Sequence, residues 1–439
     1  MDYKTSEVLE FIEENDVKFI KLAFCDIFGN QKNITIMPTE LKRAFYEGVS
    51  FDASAVTGFM KVEESDLLLF PEANTMYLLP WRPQYGRVVR FFCNIKHPDG
   101  RDFEGDCRNI LKEVIKDSKQ KGFTCKIGCE SEFYLFEQDE FGNPTMIPYD
   151  KGTYCDIYPN DRCENIRRDI CLSLEEMGIK PTSSHHEQGP GQNEIDYEYS
   201  NALSAADNLI SFKSLVKTKA SENGLFASFM PRPLETECGS GLHINISLYK
   251  DNKNIFEDKN DKQYKYAESF ISGILNRIEE ITLFLNSSTN SYKRLGKDKA
   301  PKYITWSKEN RSQLIRIPAS KGDRCRMELR SPDSSCNPYI AFALLIKAGI
   351  EGIEKNLQLC NPHNINLFNA NDNEVKNLKT LPNNLNEAIN NALNSEFIKT
   401  VLPQKTINNY IDDKKQEWDI YNSITDKFKA EKELYFEKF

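Results

Sequence analysis

The sequence predicts an α+β protein of two domains: a small first domain built mainly of strands, and a large second one in which strands and helices alternate. Three observations carry that expectation. The 439 residues exceed one ordinary domain. The first hundred residues read as short strands until a helix signal opens a different region. Five later segments alternate apolar residues with charged or polar ones at every second position, the period of a strand with one buried face.

The elements follow in order. "MDYKTSEVLEFIEEND" is an acidic amphipathic helix signal. It lacks the basic start and apolar core of a secretion signal, so an unprocessed chain is expected. "VKFIKLAFCDIFGNQKNITIM" alternates on both sides of Gly29-Asn30 and reads as a β-hairpin. Strand signals continue through "LLLFPE" and "GRVVRFFCNI". "HPDGRDFEGDCRNILKEVIKDS" then supplies a turn, an acidic cap and a helix, which places the domain boundary between residues 103 and 104. The domains expected are 1–103 and 104–439. Strands and helices alternate as far as "IAFALLIKAGIEGIEKNL"; an asparagine-rich stretch after Cys360 reads as loops around short helices, and the charged tail as a surface helix.

Composition narrows the function. With 39% hydrophobic and 28% charged residues the chain can bury a full core. A net charge of -9 argues against nucleic acid or an anionic membrane as principal partner. The longest apolar stretch, "YIAFALLIKAGI", is far short of a bilayer span and contains Lys347. Twelve scattered cysteines without CxxC spacing read as reduced thiols of a cytoplasmic protein.

The chemistry lies on the polar strand faces. In "GCESEFYLF", Glu130, Glu132 and Tyr134 share one side, which sets the carboxylates roughly 6–7 Å apart at Cα. "GQNEIDYEY" presents Gln192, Glu194, Asp196 and Glu198; "GLHINISLY" presents His243, Asn245 and Ser247; "RMELR" presents Arg326, Glu328 and Arg330; "LIRIP" adds Arg316. A sheet curved around these faces encloses a highly charged cavity. Carboxylate oxygens with one imidazole suit Mg²⁺ or Mn²⁺, and arginine forks suit phosphate or carboxylate. Metal-bound nucleotide chemistry is the expectation. It is not of the Walker type, since no GxxxxGK[ST] occurs, and "GSGLH" lacks the spacing of a dinucleotide fingerprint.

At these residues the chain resembles glutamine synthetase of the bacterial type I class. The matching motifs are "FDASAVTGF", "DFEGDCRN", "ESEF", "SHHEQGPGQNEID", "FMPRPL", "GSGLH", "NSYKRL", "NRSQLIRIP" and "RMELRSPDSSCNPY", in family order. The resemblance implies a small N-terminal β-grasp domain and a large catalytic domain whose curved antiparallel sheet lines a funnel. It implies a dodecamer of two hexameric rings, with each site completed by a neighbour's N-terminal domain. One Mg²⁺ or Mn²⁺ would be held by Glu132, Glu187 and Glu194, and a second by Glu130, His243 and Glu328. ATP would meet Asn245, Ser247, Arg311, Arg316 and Arg326. Glutamate and the transferring phosphoryl would meet Cys238, Gly239, Arg294, Arg311 and Arg330. The catalytic set implied is Asp52, Arg311 and Arg330, with Lys299 at the latch. His185 and His186 read as hydrogen-bonding supports or nucleotide neighbours.

Two departures from the family pattern bear on the substrate. The latch, close to "YKRLVPGYEAP" in the family, here reads "YKRLGKDKAP", one residue shorter and with Lys299 in place of a glutamate. Cys238 replaces the asparagine before "GSG". The activity implied is ATP-dependent amidation of glutamate by ammonia through γ-glutamyl phosphate. The alternatives are a γ-glutamyl-amine ligase using a larger amine, which suits the altered latch, and a non-catalytic nucleotide-binding scaffold. The scaffold has no use for six costly ligands.

Overall fold

The computed structural model of the chain describes residues 4–82, 85–257 and 262–439. The first three residues of the expected opening helix lie outside these. Helix α1 (Thr5–Glu14) buries Val8 and Ile12. Strands β1 (Val17–Cys25) and β2 (Gln31–Ile36) pair antiparallel, from Cys25 opposite Gln31. The hairpin expected at Gly29-Asn30 therefore has a five-residue connection, 26–30, and not a two-residue turn. Asp26 is the cause: its carboxylate accepts from the backbone N–H of Phe28 (3.0 Å) and Asn30 (2.9 Å). Gly29, at φ 82°, lies so close to the large domain that a Cβ there would stand 2.8 Å from the Asn337 Cα.

Helix α2 (Pro38–Glu47) and strands β3 (Val49–Asp52), β4 (Asp66–Pro71), β5 (Tyr77–Leu78) and β6 (Arg87–Lys96) complete the first domain. Its sheet runs β2-β1-β6-β4-β3 with β5 beside β6, and the central β1–β6 pair is parallel.

The second domain opens on α3 (Cys107–Gln120), capped by Asp106 through the N–H groups of Arg108 and Asn109. Strand β7 (Phe123–Gln138) is its longest, at 16 residues. In chain order follow β8 (Pro144–Pro148), α4 (Glu164–Glu176), β9 (Pro181–His186), β10 (Gln192–Tyr197), β11 (Ser200–Asn201), α5 (Ala202–Glu222), β12 (Leu225–Ser228), β13 (Leu242–Lys250), β14 (Lys253–Asn254), α6 (Tyr264–Leu285), α7 (Ser291–Arg294), β15 (Trp306–Lys308), β16 (Ile315–Ile317), β17 (Met327–Leu329) and α8 (Pro338–Glu354). The eleven-stranded sheet runs β15-β16-β17-β13-β7-β10-β9 along its main path. It is antiparallel except for β15 beside β16, which are parallel.

The alternation along β7 divides as expected. Cys129, Ser131, Phe133 and Leu135 are buried, while Glu130 and Glu132 face a cavity. The apolar stretch in α8 is core: its residues from Tyr339 to Ile346 are at most 1% exposed, and Lys347 reaches Asp117 at 2.8 Å. No helix of the described residues is long and apolar enough to cross a membrane. All twelve cysteines are free thiols.

A buried ionic network joins the two domains. Arg108 forks onto Asp207 (2.9 and 2.8 Å) and reaches Glu72 at 2.5 Å, and the Tyr339 hydroxyl donates to Asp207 at 2.7 Å. Buried charges need such pairing to be tolerated.

Candidate active site

The sheet register assembles the site. Across β7 and β10, Glu132 stands opposite Glu194 and Glu130 opposite Asp196. On the other edge of β7, Glu130 stands opposite His243 of β13. Next along, Asn245 pairs with Glu328 of β17, and Glu328 with Arg316 of β16. Facing residues of antiparallel strands lie about 4.5–5.5 Å apart at Cα, so segments distant in sequence meet in three adjoining rows. Glu130, Glu132, Glu194, Asp196, His243 and Arg316 of these rows line a cavity of about 560 Å³ that also takes in His185, Glu187, Arg294, Arg311 and Arg330.

Each carboxylate has its own setting. Glu132 accepts from the Gly241 N–H (2.8 Å) and the Gln192 amide (3.2 Å). Burial, then the nearby Glu187 charge, raises its pKa. Glu194 is pushed well up, by burial first and then by Asp196, Glu132 and Glu130. Glu130 goes the other way: burial opposes ionisation, but His243 (3.1 Å) and Asn245 (2.8 Å) bring it down to about 2. Glu328 is held by Arg316 (2.5 Å) and Arg330.

The cations divide into engaged and available ones. Arg294 is buried and donates to the carbonyls of Ser331 (2.8 Å), Pro332 (3.2 Å) and Arg330 (3.2 Å). Arg330 is also buried, yet its Nε has no partner. Arg311 is exposed at the cavity wall. Arg326 donates to the Asn245 side-chain oxygen at 2.7 Å. Arg326, Pro318 and Ala319 also line a second cavity, of about 340 Å³, that continues the cleft.

Comparison with known proteins places this arrangement. The family described as glutamine synthetase, catalytic domain, matches residues 104–433, and that described as glutamine synthetase, beta-Grasp domain, matches residues 16–98. The chain is 45% identical to the glutamine synthetase of Clostridium saccharobutylicum over 96% of both chains. It is 44% identical to that of Methanosarcina mazei over 95% of both. The chain belongs to the glutamine synthetase family. It is a ligase.

Solved structures agree in fold. A GmaS/ADP complex superposes with a TM-score of 0.87 at 27% identity, over 99% of this chain and 100% of that one. A Plasmodium falciparum glutamine synthetase gives 0.85 at 26%, over 96% and 97%. The first domain is thus the β-grasp domain and the second the catalytic domain of this family.

Glutamine synthetases depend on ATP and a divalent metal, and the residues here fit such ions. Ligand atoms of Glu130, His243 and Glu328 lie within 4.8 Å of one another, as do those of His185, Glu187 and Glu194. The buried Asp196 Oδ1 has no partner, and crowded carboxylates raise Glu194, so the cavity lacks positive charge where these groups converge. The second cluster differs from the set the family motif implies, because His185 takes the place of Glu132. His185 Nε2 lies 3.1 Å from a Glu187 oxygen, while Glu132 is turned to Gly241 and Gln192. A third grouping, Asp150, Asp161 and His186, has its oxygens occupied: Asp150 by His186 (2.9 Å) and Gly191 N–H (2.8 Å), and Asp161 by the Arg167 fork. His186 is a support, as expected. His185 is a cavity residue.

Three expected contacts lie elsewhere in this chain. Ser247 is buried and donates to the Cys325 carbonyl at 3.0 Å, away from the cavity lining. Asn245 touches the site through Glu130 and Arg326 and is itself no part of the wall. Asp52 is exposed and caps the turn at Ala53–Ala55, accepting from Ser54 N–H (2.9 Å) and hydroxyl (2.6 Å).

The glutamate loop and the latch meet at the rim. Gly239 is required: a Cβ there would be 2.6 Å from the Pro231 carbonyl and 2.9 Å from Arg294 Cγ. The Cys238 carbonyl accepts from the Tyr134 hydroxyl at 2.6 Å, and burial, with Asp298 and Glu132, pushes the Cys238 thiol up to about 11. In the latch, Asp298 takes a left-handed conformation (φ 53°) and pairs with Arg232 at 2.8 Å. Lys299 lies over the Tyr154 ring, 5.2 Å from its centroid. Tyr154 and Arg232 sit in irregular segments and had no periodic signal in the sequence.

Proposed function

We propose that this protein catalyses the ATP-dependent amidation of glutamate by ammonia, forming glutamine through γ-glutamyl phosphate in a cytoplasmic dodecamer. The observation that supports this best is the register that sets Glu132 against Glu194 and Glu130 against His243, with Arg311 and Arg330 on the same cavity wall.

In the first step a γ-carboxylate oxygen of glutamate attacks the terminal phosphorus of ATP and the bond to ADP breaks. Arg311 is exposed at the wall and Arg330 has a free Nε; both can fork onto the transferring group, where donors aimed at developing charge act most strongly. Arg294, already bonded to the carbonyls of residues 330–332, packs against Gly239 of the glutamate loop. Mg²⁺ or Mn²⁺, held by Glu130, His243 and Glu328 and by Glu187 and Glu194 with Glu132 or His185, would supply positive charge to the phosphate oxygens. Arg316 lines the first cavity and Arg326 both, where a nucleotide would lie.

In the second step the amine nitrogen attacks the γ-carbonyl, phosphate leaves, and a base takes the proton. Asp52 from a second copy of the chain suits that role, being exposed and absent from its own chain's cavity. Acyl phosphate hydrolyses readily, so the latch must exclude water. Here closure rests on Asp298–Arg232 and Lys299–Tyr154.

That latch favours a second reading, a γ-glutamyl-amine ligase. A lysine at the rim repels ammonium and lacks the acid that would draw it in. Phosphate release from ATP with glutamate and Mg²⁺ separates the readings. Stimulation by ammonium supports glutamine synthesis; stimulation only by larger amines supports the second reading; silence with all of them defeats both.

A further inference from the structure

The first domain's sheet sets two cations face to face. In the parallel pairing of β1 and β6, Lys21 stands opposite Arg90. Like charges directly opposite across a sheet destabilise it. Arg82 adds a third cation to the same hollow, whose walls include Gln31 and, from α5 of the catalytic domain, Ser214 and Thr218. No carboxylate lines this hollow among the described residues. The nearest acid acting on Arg90, Asp207, is committed to Arg108 (2.9 and 2.8 Å) and Tyr339 (2.7 Å).

Arg90 is only 1% exposed. Its guanidinium lies 4.4 Å from the Phe92 ring centroid and gives one bond, Nη2 to the Ser211 hydroxyl at 2.8 Å. Its Nε is buried without a partner, as is the Gln31 Oε1. Burial, then Arg82 and Arg90, lowers the Lys21 pKa, the response of a cation crowded by cations.

We propose that this hollow is a seat for a small oxyanion of the phosphate or sulfate class. At about 170 Å³ it is too small for an organic ligand, whose pockets run roughly 300–1,000 Å³. It shares no lining residue with the catalytic cavity. Because its walls come from both domains, an occupying anion ties β1 and β6 to α5 and strengthens their docking.

Equilibrium binding of inorganic phosphate to the full-length assembled protein, without nucleotide or metal, tests this. The expected result is a site that survives Arg330→Gln, which cripples phosphate binding in the catalytic cavity. The double variant Lys21→Gln/Arg82→Gln should weaken that site by about tenfold or more, the loss of a charge-assisted hydrogen bond, with ligase turnover unchanged. Gln31→Glu, which builds a carboxylate into the hollow, should raise the melting temperature in phosphate-free buffer and remove the further rise that phosphate gives. Binding abolished by Arg330→Gln alone, binding unaltered in the double variant, or no phosphate response of the wild-type melt would each overturn the proposal.

Discussion

Glu132 is fixed by a backbone N–H and an amide, and its carboxylate faces Glu187 across the cavity. Glu132→Ala should reduce phosphoryl transfer to background, because it removes negative charge from the place where a cation is to be held. Single-turnover ADP formation at saturating Mg²⁺ checks this; a rate within about threefold of wild type would sink the metal assignment. Lys299→Glu should raise ammonium-dependent turnover several-fold by replacing a repelling charge with an attracting one. An unchanged rate would show that another residue draws in the amine. At this scale, residues on the longer strands were legible: Glu130, Glu194 and His243 follow from alternation alone. Depth along a strand was not. Ser247 is on the expected face of β13, but the Cys325 segment covers it. Tyr154 and Arg232 come from loops, where no period tells which way a side chain points.

Helices α6 and α8 are clipped by a fork from Arg277 to Glu351, at 2.8 and 2.9 Å. The Arg277 hydrogen bonds bring Glu351 down to about 2 from an ordinary 4.5. A carboxyl depressed on folding adds stability above its unfolded pKa and loses it as pH falls toward the folded one. Glu351→Gln should therefore cost about 1 kcal/mol at neutral pH, and the gap to wild type should close between pH 4.5 and about 2. Urea titrations at several pH values read it directly; a gap independent of pH would mean the fork contributes nothing through charge. Elements with clear caps were legible, such as α3 behind Asp106. The β1–β2 hairpin was legible, while its five-residue connection was not, because Asp26 orders the turn; the parallel β15–β16 pair was not, because three residues are too few to show a pattern.

For the whole molecule, one chain brings the carboxylates and arginines together but leaves Asp52 outside. If sites form between copies, two inactive variants should rescue each other. Co-assembly of Asp52→Ala with Arg330→Gln chains should restore about a quarter of the sites in a random mixture. No recovery after verified co-assembly would place Asp52 outside the mechanism. The change from strand signals to an acidic cap and a helix after residue 103 was legible in the sequence. The network of Arg108, Asp207, Glu72 and Tyr339 that binds the halves was not, because partners 99 and 132 residues apart leave no local trace.

Strand β7 carries a last consequence. It pairs with β8, β10, β11, β12 and β13 and holds Glu130 and Glu132 two residues apart. One inserted or deleted codon within it would turn every side chain beyond that point over, exchanging ligands for core residues against every strand paired there. A change of length should therefore be tolerated in its loops and not in β7, which serves as the fixed ruler from which the rest of the site is measured.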